Sequence, residues 1–82
     1  MDLIDTIEGM ASVDYKERFK AEYQQLNIRI DRLRALLNDY TAGKLDFTPI
    51  TPISTLETQL YYMQSYLEIL KKRAVYESIN LD

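Results

Sequence analysis

Apolar residues recur along the chain at helical spacing. Phe19, Tyr23, Leu26, Ile30, Leu33, Leu37 and Tyr40 follow one another in steps of 4, 3, 4, 3, 4 and 3. Two apolar positions per heptad make the seam of an amphipathic helix that packs against a single neighbour. The pattern predicts a first long helix over residues 14–42, roughly 40 Å long at about 1.5 Å per residue. Ser12 or Asp14 offers its N-cap and Gly43 a natural stop. A second seam, Leu56, Leu60, Met63, Leu67, Leu70 and Ala74, repeats the same steps and predicts a second long helix over 54–79. Ser54 is the expected N-cap, and Ser54-Thr55-Leu56-Glu57 reads as a capping box. Lys71, Lys72 and Arg73 lie toward the far end, where cations suit the helix dipole.

Between the two seams, residues 43–53 form a connector. Pro49 and Pro52 forbid a helix interior there, and Phe47, Ile50 and Ile53 are expected to fold back onto the open end of the hairpin. Residues 1–12 form a lead. Within it Asp2 to Glu8 could make a short N-terminal helix, with Ile4 and Ile7 on its apolar side and Gly9 at its end. The expected fold is all-α, a single domain over 1–82: an antiparallel hairpin of two long amphipathic helices with a short N-terminal helix.

One seam per helix leaves apolar residues unaccounted for. Tyr62, Tyr66, Ile69 and Tyr76 lie on an adjacent face of the second helix beside Tyr61, and Ile28 and Leu36 stand off the first seam. A contiguous exposed apolar patch on a small protein marks an interface. The hairpin is therefore expected to assemble into a homo-oligomeric helical bundle. Length points the same way, because 82 residues bury a modest core.

Composition narrows the chemistry. No cysteine is present, so there is neither a disulfide nor a thiolate site, and no histidine, the commonest metal ligand and neutral-pH base. Ten basic against 13 acidic residues give a net charge of -3, which opposes binding to polymeric nucleic acid. The N-terminus is acidic and no apolar run is long enough for a membrane, so neither a signal peptide nor a membrane partner is expected. There is no Gly-rich phosphate loop, no Ser-His pair and no cluster of metal ligands, and the carboxylates scatter along helix faces as solvation. Neither catalytic residues, nor metal, nor cofactor, nor enzymatic activity is expected.

What remains is recognition. Tyr15 precedes Arg18 by three positions, so the two share one side of the first turns, and Arg29, Arg32 and Arg34 follow. Guanidinium groups bind phosphate bidentately and a tyrosine ring stacks on a base. On spacing alone the same arginines also fit an ordinary salt-bridged helix surface.

The order of features runs Tyr15-x-x-Arg18-Phe19-x-x-Glu22, then Leu26-x-x-Arg29-Ile30-x-x-Leu33, then a proline-containing connector. Leu56-x-x-Gln59-Leu60-x-x-Met63-x-x-Tyr66-Leu67-x-Ile69-Leu70-x-x-Arg73 follows. Over residues 14–77 this resembles the helical hairpin shared by phage anti-CBASS cyclic-nucleotide sponges and a class of Thoeris anti-defence proteins. The resemblance implies a compact homo-oligomer, commonly a hexamer, in the cytoplasm of an infected bacterial host. It implies pockets between protomers that hold cyclic dinucleotides, and in some members cyclic trinucleotides or cyclic ADP-ribose isomers, without cleaving them. It implies that Tyr15 stacks on a base. Arg29 lies nearest the family's phosphate-binding basic position, with Ile30 the alternative one residue on. Arg73 matches the arginine of the second helix, which is either structural or lines a second site. The alternative function is a structural or protein-binding oligomerisation module with no nucleotide ligand. An RNA-binding hairpin and a signal-hydrolysing enzyme are more distant alternatives.

Overall fold

The computed structural model describes residues 14–81. They form two helices, α1 (Tyr15–Thr41) and α2 (Ile53–Tyr76), packed against each other, and no strand occurs among the described residues. The short helix expected near Asp2 to Glu8 lies outside the described residues, as does Ser12. Tyr15 at the start of α1 meets Glu77 just beyond α2, Glu22 meets Tyr66, and Leu36 and Leu56 line one groove. The helices are therefore antiparallel.

Each helix end has an identifiable cause. Asp14 is the N-cap of α1, and its carboxylate accepts the backbone N–H groups of Lys16 at 2.8 Å and Glu17 at 3.1 Å, satisfying two of the orphan donors of the first turn. At the other end Gly43 takes φ +70°, its N–H donates to the Tyr40 carbonyl, and the Lys44 N–H donates to the Asp39 carbonyl. That pair of bonds is a Schellman cap, with glycine where a side chain would be strained.

The ends of α2 depart from expectation. Ser54 is not the N-cap. The helix begins one residue earlier at Ile53, Pro52 is the cap residue, and no side chain caps it. Pro52 holds φ at -56°, and its carbonyl accepts the N–H groups of Thr55 and Leu56, so the chain enters the helix without help from Ser54. The far end closes at Tyr76, three residues short of the expected 79. Ser78 adopts φ 56°, its N–H donates to Val75 and the Ile79 N–H to Ala74. This is a second Schellman cap, built without glycine, and the residue after it, Ile79, is buried against the core together with Ala74.

The core gathers at one end of the hairpin. Phe19, Leu26 and Ile30 of α1 pack with Leu70 and Ala74 of α2 and with Ile79, while Tyr23, Leu60, Met63, Leu67 and Leu81 close around them. Toward the connector the packing opens. Leu37 is buried, Leu33 and Leu56 are half-buried, and Tyr40 is exposed. Of the three connector residues expected to fold back, Ile53 is half-buried, while Phe47 and Ile50 line a recess with Leu36 and Leu56 without themselves being covered. Phe47 is 56% exposed and Ile50 projects fully into solvent. Two prolines stiffen the connector, so its apolar side chains cannot all turn inward.

Candidate functional site

One broad face of the hairpin collects most of the chemistry. On α1, Tyr15, Arg18, Glu22, Gln25 and Arg29 recur every three or four residues and form a single stripe. On α2, Gln59, Tyr62, Tyr66, Ile69 and Arg73 do the same. The antiparallel register sets the two stripes side by side, with a groove between them.

At the end of the groove nearest the core, Tyr15, Arg18, Phe19, Glu22 and Arg73 line a pocket of about 270 Å³. Three of the four candidate residues, Tyr15, Arg18 and Arg73, thus come together although Arg73 is far from the others in sequence. Arg73 is held from three sides. Its Nε donates to Glu77 Oε2 at 3.0 Å, Nη2 donates to the Tyr15 hydroxyl at 2.6 Å, and its guanidinium carbon lies 5.0 Å from the centre of the Phe19 ring. The last contact is a cation–π arrangement. The Tyr15 hydroxyl in turn donates to Glu77 Oε1 at 2.5 Å. Tyr15 is therefore pinned by its hydroxyl and leans on Phe19 with ring centres 6.3 Å apart, while 47% of the residue remains exposed. The backbone N–H of Arg18 donates to the Asp14 carbonyl at 3.0 Å, and the residue is exposed at the pocket.

The electrostatics follow from these bonds. The Tyr15 hydrogen bond, with that from Arg73, holds the Glu77 carboxyl below its ordinary value. The same bond to Glu77 raises the Tyr15 phenol, because ionised phenol and carboxylate would repel, and Glu77 also raises Arg73. A parallel lock stands further along, where the Tyr66 hydroxyl donates to Glu22 Oε2 and the Tyr66 phenol is raised by that bond.

Arg29, the fourth candidate, does not join this pocket. It lines the next one, of about 340 Å³, with Glu22, Gln25, Gln59, Met63 and Tyr66. The separation of 11 positions from Arg18 to Arg29 makes three helical turns, so both face the groove about 16 Å apart along the axis. Ile30, the alternative at that register, is 2% exposed in the core and faces away from the groove. Beyond lies a third recess of about 400 Å³, lined by Ser54, Thr55, Thr58, Gln59 and Tyr62. Glu22 lines both of the first two recesses and Gln59 the second and the third, the third being formed by α2 alone. Arg34 instead makes an exposed pair with Asp31 at 3.7 Å.

Glu77, Glu22, Gln25 and Gln59 were not among the candidates. The Arg73–Glu77 pair is legible as an i, i+4 contact. The bonds Tyr15–Glu77 and Tyr66–Glu22 need the helix register, which no local pattern reveals. Among the described residues there is no group of three metal-ligating side chains, and no helix is long and apolar enough to cross a membrane.

Residues 13–76 match the protein-family model described as Sequestin. No curated protein and no solved structure matches the chain.

Proposed function

The chain belongs to the Sequestin family, and from that premise we propose that it sequesters cyclic oligonucleotide immune signals without cleaving them, as a phage anti-defence protein in the host cytoplasm. The family's name points to sequestration. The observation that carries the nucleotide reading is the pocket in which a pinned, half-exposed Tyr15 ring stands beside Arg18 and Arg73.

A cyclic dinucleotide carries two flat bases and two phosphate charges. Tyr15 offers a stacking surface fixed by Glu77 and Arg73, and fixing it beforehand removes part of the ordering cost of binding. Arg18 and Arg73 offer guanidinium groups to phosphate, and Arg29 stands further along the same groove. No histidine or cysteine is available to carry cleavage, which supports capture and release of an intact ligand.

One pocket of about 270 Å³ cannot enclose a cyclic dinucleotide, and pockets that bury drug-sized ligands run to roughly 300–1,000 Å³. The remainder of the enclosure comes from further copies of the chain. Tyr62, Tyr66 and Ile69 lie exposed on the groove face, where a second protomer would cover both them and the ligand. A homo-oligomer, a hexamer by the resemblance of the sequence, is the proposed assembly.

The test is calorimetric titration of the purified protein with cyclic dinucleotides, cyclic trinucleotides and cyclic ADP-ribose isomers. Saturable submicromolar binding to one class, lost in Tyr15→Ala with helical content retained, is expected. No heat across the panel from a folded, oligomeric protein would favour the protein-binding module, which the same exposed Tyr62, Tyr66 and Ile69 would serve.

A further inference from the structure

The middle recess of the groove differs in kind from its neighbour. In the Tyr15 pocket two guanidinium groups, from Arg18 and Arg73, share the lining with Glu22, and Arg73 is already paired with Glu77. In the middle recess a single guanidinium, from Arg29, shares the lining with that same Glu22 carboxylate and with two glutamine amides. What the recess offers instead is directional hydrogen bonding. Gln25 projects from α1 and Gln59 from α2, each amide pairing an acceptor with two donors. Arg29 adds a fork of donors. Glu22 accepts the Tyr66 hydroxyl on Oε2 and has Oε1 as a second acceptor. Met63 and the Tyr66 ring supply apolar and aromatic surface. A flat apolar body with a patterned polar edge is what such a lining complements.

We infer that this recess, through Gln25, Gln59 and Arg29, is a purine-base subsite distinct from the phosphate-facing pocket of Tyr15, Arg18 and Arg73. Purines alone present a ring nitrogen N7 beside an exocyclic O6 or N6. A glutamine amide pairs with adenine across that edge and an arginine fork with guanine. Pyrimidines lack N7 and leave one arm of each pair unmet. The recess, of about 340 Å³, has room for a purine ring and its sugar. Gln59 and Arg29 are exposed and Gln25 half-buried, so the polar groups keep their water until a base replaces it. The subsite deepens the sequestration reading by naming the bases of its ligand, but its test does not depend on that reading.

The test is NMR on the full chain labelled with ¹⁵N, observing the side-chain amide resonances of Gln25 and Gln59. The probes are AMP, GMP, UMP and ribose 5-phosphate at millimolar concentration. AMP or GMP is expected to shift both amides and to bind about tenfold more tightly than UMP, the discrimination one good paired contact confers. Ribose 5-phosphate is expected to leave the amides in place. Gln59→Ala, at an exposed position, is expected to lose about tenfold in purine affinity with helical content unchanged. Equal shifts from UMP or ribose 5-phosphate, or no amide shift from any probe, would overturn the subsite. A chain that binds purine nucleotides through these amides but no cyclic oligonucleotide keeps the subsite and loses the sequestration reading. Cyclic oligonucleotide binding without amide shifts does the reverse.

Discussion

Tyr15, the first residue of α1, donates its hydroxyl hydrogen to Glu77, the residue that follows α2. One bond thus ties the two termini of the hairpin and orients the ring at the candidate site. Because both partners titrate, the tie has a pH window. Glu77 is held below the ordinary carboxyl value of 4.5, so its contribution is present above that value and is lost as pH falls through the depressed folded value. Tyr15 and Tyr66 are raised above the ordinary phenol value of 10.0, so their contribution is present below 10.0 and is lost as pH rises through the folded values. Thermal melts followed by circular dichroism should show a plateau near neutrality, with an acid limb that is shallower in Glu77→Gln. Tyr15→Phe should leave a shallower alkaline limb. Identical limbs in wild type and both variants would contradict the tie.

Ser78 closes α2 in the left-handed region at φ 56°, a conformation costing a non-glycine residue about 1–2 kcal/mol. Ser78→Gly should therefore stabilise the chain by about 1 kcal/mol, raising Tm by roughly 4–8 °C. Gly43→Ala should do the opposite by a similar amount. The added methyl meets no atom within 4 Å, so its cost is that of backbone conformation alone. Differential scanning calorimetry of the two variants checks both signs.

That cap also shows where sequence patterns end. The seams of Phe19 to Leu37 and Leu56 to Ala74 declared two amphipathic helices, because burial along one face imposes the spacing directly. Gly43 declared the end of α1, since glycine is the residue that pattern leads one to look for. Ser78 carries no such mark, and the expected helix ran on to 79 past the actual turn. Ser54 misled in the other direction, since its capping-box neighbours lie inside a helix that Pro52 starts. At the site, the association of Tyr15 with Arg18 was visible as a three-residue spacing. Their meeting with Arg73 and Glu77 depends on antiparallel register. So does the distribution of Arg18 and Arg29 between two adjoining pockets.

Among the described residues Leu70 and Ile30 are the most completely enclosed large side chains, at 0% and 2% exposure. Truncating either to alanine should cost about 2–5 kcal/mol. Native domains hold only about 5–15 kcal/mol, so a large share of the fold's stability rests on each. Urea titrations should place both variants far below Ile50→Ala, whose side chain touches little and which should stay within about 0.5 kcal/mol of wild type.

The exposed aromatic face makes a separate prediction about assembly. Tyr66→Ser combined with Ile69→Ser removes apolar surface from the groove side and leaves the Leu70 seam untouched. Sedimentation velocity should show the wild-type chain as a homo-oligomer and the double variant shifted toward monomer, with helicity largely retained. A monomeric wild-type chain would remove the multi-protomer enclosure from the proposed function.

Sequestration means that a signal is bound and survives. The most direct measurement incubates the purified protein with a cyclic dinucleotide, separates bound from free by ultrafiltration, then heats the retained fraction and identifies what is released by chromatography. Capture by the protein and recovery of the unaltered cyclic dinucleotide on heating, with no capture by Tyr15→Ala, is the predicted result. Passage of the nucleotide into the filtrate, or its recovery as linear product, would contradict the account.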